Sequence, residues 1–305
     1  METFIIVLNQ MLFLFLCILI GFTLRKTGVM PDITDRILSK MEYYVFVPAL
    51  TVNSFMEHCT PEALRSHLGS LGYAVLFLGL SIAAGAILAP FFTKDRGEIG
   101  IYRYAITVTN FGYMGNSLIL GLFGSQMLFH YLIYTLPLHV FSASLAIVWL
   151  TAGKRKFSLR MLISPMFLSM LVGIALGLTG FQLPSFVQKT VSGCAGCFSP
   201  IAMILTGFVI AGYRFRDLLK KKNVYALTAL RLVVLPLAIF GLCLLLRVPE
   251  QIRILVLVSS ALPLGLNTIV FPAAYGLDET PGATMALISN LVGLVTVPLI
   301  LQLVL

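Results

Sequence analysis

Between Arg253 and Gly276 the chain reads as one membrane helix with a fault in its middle. Residues Ile254 to Leu262 are apolar apart from Ser259 and Ser260. Pro263-Leu264-Gly265-Leu266-Asn267-Thr268 follows, and the apolar run resumes at Ile269. A proline removes a backbone donor and its ring crowds the preceding turn, so the helix must kink or unwind there. Within hydrocarbon, unwound backbone is tolerated only where it is buried in protein or lines a cavity. Broken helices in transporters place half-helix ends at a site near the bilayer midplane. Pro263, Gly265, Asn267 and Thr268 are therefore the first candidate site residues.

The membrane context comes from composition. Hydrophobic residues make up 59% of the chain and charged residues 11%, whereas a soluble domain carries about 25% charged residues. A chain of 305 residues accommodates about ten crossings of roughly 20 residues each. The apolar runs fall at Phe4–Leu24, Leu38–Phe55, Leu68–Phe92, Tyr102–Phe123, Tyr131–Thr151, Leu159–Leu178, Val191–Tyr213, Val224–Leu246, Ile254–Tyr275 and Ala283–Leu305. The expected fold is an all-α integral membrane protein with no separate soluble domain.

A counterpart to the fault lies in the fourth run, at Asn110-Phe111-Gly112-Tyr113-Met114-Gly115-Asn116-Ser117. Asn116-Ser117-Leu118-Ile119 echoes Asn267-Thr268-Ile269-Val270 at an offset of 151, and Pro48 and Pro200 are 152 apart. Both offsets are close to half the chain length. They divide the chain into repeats at 1–153 and 154–305, each with one interrupted helix, as in inverted-repeat transporters. Asn110, Gly115, Asn116 and Ser117 join the candidate site on this ground.

Charge orients the chain. The net charge of +9 reflects basic residues gathered in alternate loops rather than a nucleic-acid surface. Sixteen of the 21 Lys and Arg fall in the loops after runs one, three, five and seven; the opposite loops hold only Arg65, Lys189, Arg247 and Arg253. The positive-inside rule places both termini outside the cell membrane. Glu2 precedes the first run and Arg25-Lys26 follow it, the reverse of a cleaved signal peptide.

The chemistry within the runs is sparse. Every Asp and Glu falls in a predicted loop or at the end of a run, which disfavours coupling through a buried carboxylate. Arg231 is the one strong base inside a run. It reads either as a counter-charge for an anionic substrate or as a donor to carbonyls freed by a broken helix. If the two faults cross, two half-helix N-termini point to one place, and their free N–H groups favour an anion. His139, beside Pro137, reads as a neutral histidine bonded to a carbonyl. Five cysteines, with Cys194 and Cys197 lacking a second pair or a nearby His, point to neither a disulfide framework nor a metal site. No nucleophile elbow, zinc-protease or phosphate-loop motif is present, so neither enzyme activity nor a cofactor is expected.

Three stretches resemble the auxin efflux carrier family, which includes plant PIN-like and bacterial malate or malonate permease-like members. The first is Gly21-Phe22-Thr23-Leu24-Arg25-Lys26-Thr27-Gly28 followed by Tyr44-Val45-Phe46-Val47-Pro48-Ala49-Leu50. The second is Asn110-Phe111-Gly112-Tyr113-Met114-Gly115, after which the family usually carries a proline where this chain has Ser117. The third is Ala261-Leu262-Pro263-Leu264-Gly265-Leu266-Asn267. The resemblance implies ten helices in a five-plus-five inverted repeat, with broken helices four and nine crossing. It also implies a frequent homodimer and small organic anions moved by an elevator-like cycle. Asn110, Pro263 and Asn267 carry over as functional positions. A secondary transporter of a carboxylate or auxin-like anion is the expected function. A sodium-coupled organic anion symporter of the bile-acid type, or a ligand-binding membrane sensor, is the alternative.

Overall fold

A computed structural model describes residues 2–156, 163–213 and 222–304. The loop bases Arg160, Arg214, Arg216, Lys220 and Lys221, and the start of the run at Leu159, lie outside the described residues. The described residues form helices and turns with no strand. Six helices are long and apolar enough to cross a membrane: Phe4–Lys26, Pro61–Phe92, Ile99–Tyr134, Ser185–Ala211, Asn223–Leu245 and Thr280–Leu301. Leu136–Leu150 and Pro165–Thr179 are shorter apolar helices.

Helix α1 (Glu2–Lys26) is followed by α2 (Thr34–Met41), which passes through a widened π turn, Glu42–Phe46, into α3 (Val47–His58). Then come α4 (Pro61–Phe92), α5 (Ile99–Thr107), a second π turn at Phe111–Gly115, and α6 (Asn116–Tyr134), which bends at Gly124. Next are α7 (Leu136–Ala143), α8 (Leu145–Leu150), α9 (Pro165–Thr179) and α10 (Ser185–Ala211). A third π turn, Leu230–Val234, joins α11 (Lys222–Ala229) to α12 (Leu235–Leu245). Finally α13 (Glu250–Ala261) and α14 (Asn267–Ala274) precede α15 (Thr280–Leu301).

Two of the π turns have a visible cause. Pro48 follows Phe46 by two residues, and Pro236 stands in the same relation to Val234. A proline inside a continuous helix collides with the carbonyl four residues back, and one wide turn ahead of it relieves the collision without ending the helix. Each of these turns also carries a buried charged residue, Glu42 in the first and Arg231 in the other.

Glycines set the closest helix contacts. A methyl group on Gly207 of α10 would stand 1.8 Å from the Ile18 carbonyl oxygen of α1, and one on Gly21 would stand 1.9 Å from that of Ile204. The two helices thus lie backbone to backbone at two places. Gly173 and Gly177 of α9 abut α3, where Gly177 faces the carbonyls of Phe55 and Cys59. That glycine pair serves packing. α4 turns Val75, Ile87 and Phe91 outward, as a lipid-facing helix does.

The interior divides into three apolar clusters. Leu262 belongs to the first, Leu264 to the second and Leu266 to the third. The unwound segment therefore sends alternate side chains into all three, as extended backbone allows. The break at Pro263 sits where the clusters meet.

Candidate functional site

The second interruption is best understood by following its backbone groups. α13 ends at Ala261, and Leu262 is extended. In a continuous helix the N–H of residue 263 would bond the Ser259 carbonyl, and that of Leu264 the Ser260 carbonyl. Pro263 has no N–H, and the Leu264 N–H turns instead to Ser289 Oγ of α15 at 3.0 Å. The Ser259 and Ser260 carbonyls thus lose their helical donors, and buried polar groups need partners. Thr109 Oγ1 donates to the Ser259 oxygen at 2.7 Å, and Arg231 Nη1 donates to the Ser260 oxygen at 2.8 Å. Asn290 Nδ2 reaches the Leu264 carbonyl at 3.3 Å. The break is thus closed by donors and an acceptor from three other elements.

The first interruption has no proline. α5 ends at Thr107, Val108 is extended, and the π turn Phe111–Gly115 intervenes before α6. The Asn110 N–H donates to the Pro263 carbonyl at 2.8 Å, and the Gly115 N–H returns to the Asn110 carbonyl at 3.0 Å. Tyr131 hydroxyl donates to the Phe111 carbonyl at 3.2 Å. The two interruptions therefore touch directly, through Asn110 and Pro263 in the backbone and through Thr109 and Ser259 beside them. Gly265 packs on this contact: a methyl group there would lie 3.1 Å from Asn110 Oδ1. Gly115 likewise leaves room for the Tyr131 hydroxyl, 2.3 Å from where a methyl would stand.

The residues singled out from sequence divide into groups. Asn110, Pro263 and Gly265 meet at the contact itself. Asn116 and Ser117 lie in the first turn of α6 and are buried, so the unwound stretch ends before them. Ser117 Oγ donates back to the Tyr113 carbonyl at 2.8 Å. Asn267 and Thr268 open α14; Asn267 Nδ2 donates to Tyr104 hydroxyl at 2.7 Å, and Thr268 Oγ1 to the Gly265 carbonyl at 3.1 Å. Arg231 is 3% exposed and is engaged at the carbonyl end of α13. Of these residues' amides, Asn110 Nδ2, a donor, and Asn116 Oδ1, an acceptor, have no hydrogen-bond partner among the described residues, and Asn290 Oδ1 of α15 is likewise an open acceptor.

Several participants carry no sequence signal of their own. Ser289 and Asn290 of α15, Tyr104 of α5 and Tyr131 of α6 all hold the interruptions by hydrogen bonds. Polar and aromatic residues of this kind are ordinary in apolar helices, and only the fold selects them. His139 departs from expectation. Its Nε2 has no partner among the described residues, and its ring packs edge-on against Phe111 with centroids 4.6 Å apart. The predicted bond to a carbonyl is absent at that nitrogen.

A cavity of about 30 Å³ lies beside the contact, lined by Thr107, Tyr134, Arg231, Ser259 and Ser260 among others. It has room for water and none for an organic molecule. A wider cleft of about 530 Å³ lies elsewhere, where Phe92, Lys94, Glu98, Tyr102 and Asn223 surround the end of α4.

Comparison with known proteins agrees with a helical membrane protein. A family model described as membrane transport protein matches residues 6–158 and 147–301. An uncharacterized transporter of Methanothermobacter thermautotrophicus is 22% identical over 294 residues, which span 92% of this chain and 93% of that protein. The chain belongs to the membrane transport protein family, the family of the auxin efflux carriers and PIN-like proteins, and it is a transport protein rather than an enzyme.

Proposed function

We propose that the protein is a secondary transporter of small organic anions, carboxylates or auxin-like acids, working by alternating access. The single observation that supports this reading most is the Asn110 side-chain amide. It is 4% exposed, its Nδ2 has no partner, and it lies where the two interruptions join. A buried donor left free is costly unless a ligand completes it. The Ser259 and Ser260 carbonyls of the break are already taken by Thr109 and Arg231, and Asn110 Nδ2 and Arg231 Nε stand as open donors beside the amide acceptors Asn116 Oδ1 and Asn290 Oδ1. The start of α14 adds to this, since its cap residue Leu266 supplies no side-chain acceptor and helix N-termini favour anions.

In this reading the chain forms ten spans in two inverted repeats, 1–153 and 154–305, with the fourth and ninth crossing. Asn110, Gly115, Asn116, Ser117, Pro263, Gly265, Asn267 and Thr268 surround the substrate, and Arg231 braces the crossing. The small cavity there means that substrate enters only when one part of the molecule moves against another, which fits an elevator-like cycle. The protein sits in the cell membrane with both termini outside, as a homodimer.

Counterflow in proteoliposomes tests the reading. Radiolabelled malate, malonate and indole-3-acetate are offered in turn to vesicles preloaded with the unlabelled compound. Saturable exchange of at least one, reduced about tenfold in Asn110→Ala protein that still folds, is the expected result. Binding to purified protein with no exchange of any of them indicates a sensor, and dependence on sodium indicates a bile-acid type symporter.

A further inference from the structure

In sequence Glu42 reads as a carboxylate at the end of a span, and the structure buries it completely. Its relative exposure is 0%, and neither carboxylate oxygen has a hydrogen-bond partner among the described residues. It opens the π turn between α2 and α3, the kind of helix irregularity that recurs at functional sites. No base forms an ion pair with it among the described residues.

Its position ties it to the two interruptions. Leu38, one turn earlier and on the same helix face, packs in the third apolar cluster with Leu205 and Val209 of α10, Tyr113 of the first interruption, and Leu266 and Ile269 of the second. Glu42 itself lies within electrostatic reach of Tyr113. Arg155 acts on Tyr43 of this π turn but not on Glu42, and the helices packed on the turn offer no compensating charge. α9 has no titratable side chain, and Lys189, Cys194 and Cys197 of α10 all precede the part of that helix in contact with Leu38. On its own helix Asp35, Arg36 and Lys40 come before it, and Tyr43 and Tyr44 after it are exposed. Tyr213, which joins the same cluster, interacts with Glu279, Arg25 and Asp35 instead.

An ionised carboxylate in such surroundings is very costly unless something binds it. A carboxyl that holds a proton is neutral and escapes that cost. We propose that Glu42 is a proton-binding site coupled to the movement of the interrupted helices. The proposal rests on the carrier reading above and supplies its coupling ion. The carboxyl holds a proton while α9 and α10 cover its π turn and Tyr113 of the first interruption lies within electrostatic reach, as they do here. When they move and water enters, the proton passes from the carboxyl oxygen to that water. It is replaced from the other side in the opposite state. Two states that differ in proton affinity link the proton gradient to the equilibrium between them.

Two measurements test this. Infrared difference spectra of lipid-reconstituted protein should show a carbonyl band of a protonated carboxylic acid. That band is absent in Glu42→Gln, shifted in Glu42→Asp, and lost from wild type as pH rises. The absence of any band assignable to Glu42 in folded protein at every pH overturns the proposal, whether or not transport is seen. The second measurement is malate accumulation with the membrane potential clamped. A pH gradient of one unit should raise it about tenfold for one coupled proton. In Glu42→Gln the accumulation ratio should fall to about one while exchange of malate persists. Wild-type accumulation that ignores the pH gradient, or that follows a sodium gradient instead, defeats the coupling. Failure of every anion to exchange, with the Glu42 band still titrating, counts against the carrier reading and leaves the proton site standing.

Discussion

The two interruptions reach similar geometry from different causes. The second contains a proline, which withholds one helical N–H, and the carbonyls freed at the break are met by Thr109 and Arg231. The first contains no proline. Its backbone leaves the helix where other partners stand ready: the Pro263 carbonyl across the contact for the Asn110 N–H, and the Tyr131 hydroxyl of α6 for the Phe111 carbonyl. One break is written locally and the other is imposed by its neighbour. The lesson is that a helix can be opened by tertiary hydrogen bonds alone, provided every freed group finds a partner.

The contact between the two is the place to strike first. Gly265→Val puts a branched side chain where a single methyl would already stand 3.1 Å from Asn110 Oδ1. The interruptions must separate by a good fraction of an ångström. Displacements of about 1 Å at a working site cost on the order of a hundredfold in rate. Anion exchange should fall by about that factor, with Gly265→Ala intermediate. Normal exchange by the valine variant would show that the contact is not part of the working machinery.

A smaller effect separates dependence of one break on the other. Thr109→Val keeps the shape of the side chain and removes the donor to the Ser259 carbonyl. A buried carbonyl left without a partner costs about 1–3 kcal/mol, read as a lower unfolding temperature in detergent. Ser289→Ala strands the Leu264 N–H in the same way and should cost a similar amount. The two together should cost less than the sum, because both act on one segment. Full additivity would mean that the breaks are held independently.

Asn110→Ala sharpens the comparison further, because it divides function from stability. Its Nδ2 has no partner to lose, so the unfolding temperature should hold or rise slightly. Exchange should fall by about tenfold, the equivalent of one hydrogen bond to a charged group. Asn267→Ala differs, since it also removes the bond to Tyr104, and should lower stability by about 1 kcal/mol. A loss of stability in the Asn110 variant equal to that in the Asn267 variant would make Asn110 a structural residue.

Sequence made the second break legible and the first only partly so. Pro263 and Gly265 announce themselves by backbone chemistry that holds in any context. Asn110 could be found only as the partner of that break in the other half of the chain. Ser289, Asn290, Tyr104 and Tyr131 were hidden because a serine or tyrosine in an apolar helix has no periodicity that distinguishes a brace from a packed side chain. Glu42 was hidden for a different reason. It follows Lys40 and an amphipathic turn, Thr34–Met41, which reads as the wet end of a helix, and only the packing of α9 and α10 against the π turn removes it from water. The division of Arg231 between substrate and backbone was also open in sequence; the Ser260 carbonyl decides what it touches here.

The smallest effect expected is also the one that bears most directly on cause. Pro263→Ala restores an N–H whose helical acceptor would be the Ser259 carbonyl. That carbonyl already accepts from Thr109 at 2.7 Å. Rewinding the helix would also give up the bonds of Asn110, Arg231, Ser289 and Asn290 to the segment, and would withdraw Leu262, Leu264 and Leu266 from their three clusters. One backbone hydrogen bond, about 1 kcal/mol net, does not offset those losses. The alanine variant should therefore keep its break, change in stability by less than about 1 kcal/mol, and exchange anion near the wild-type rate. A new N–H also needs a partner in a buried segment, so hydrogen exchange at residue 263 should be faster than at Leu264. If instead the variant forms a continuous helix through 263 and stops exchanging, the proline alone opens the second break. The contacts around it would then follow from that break rather than maintain it.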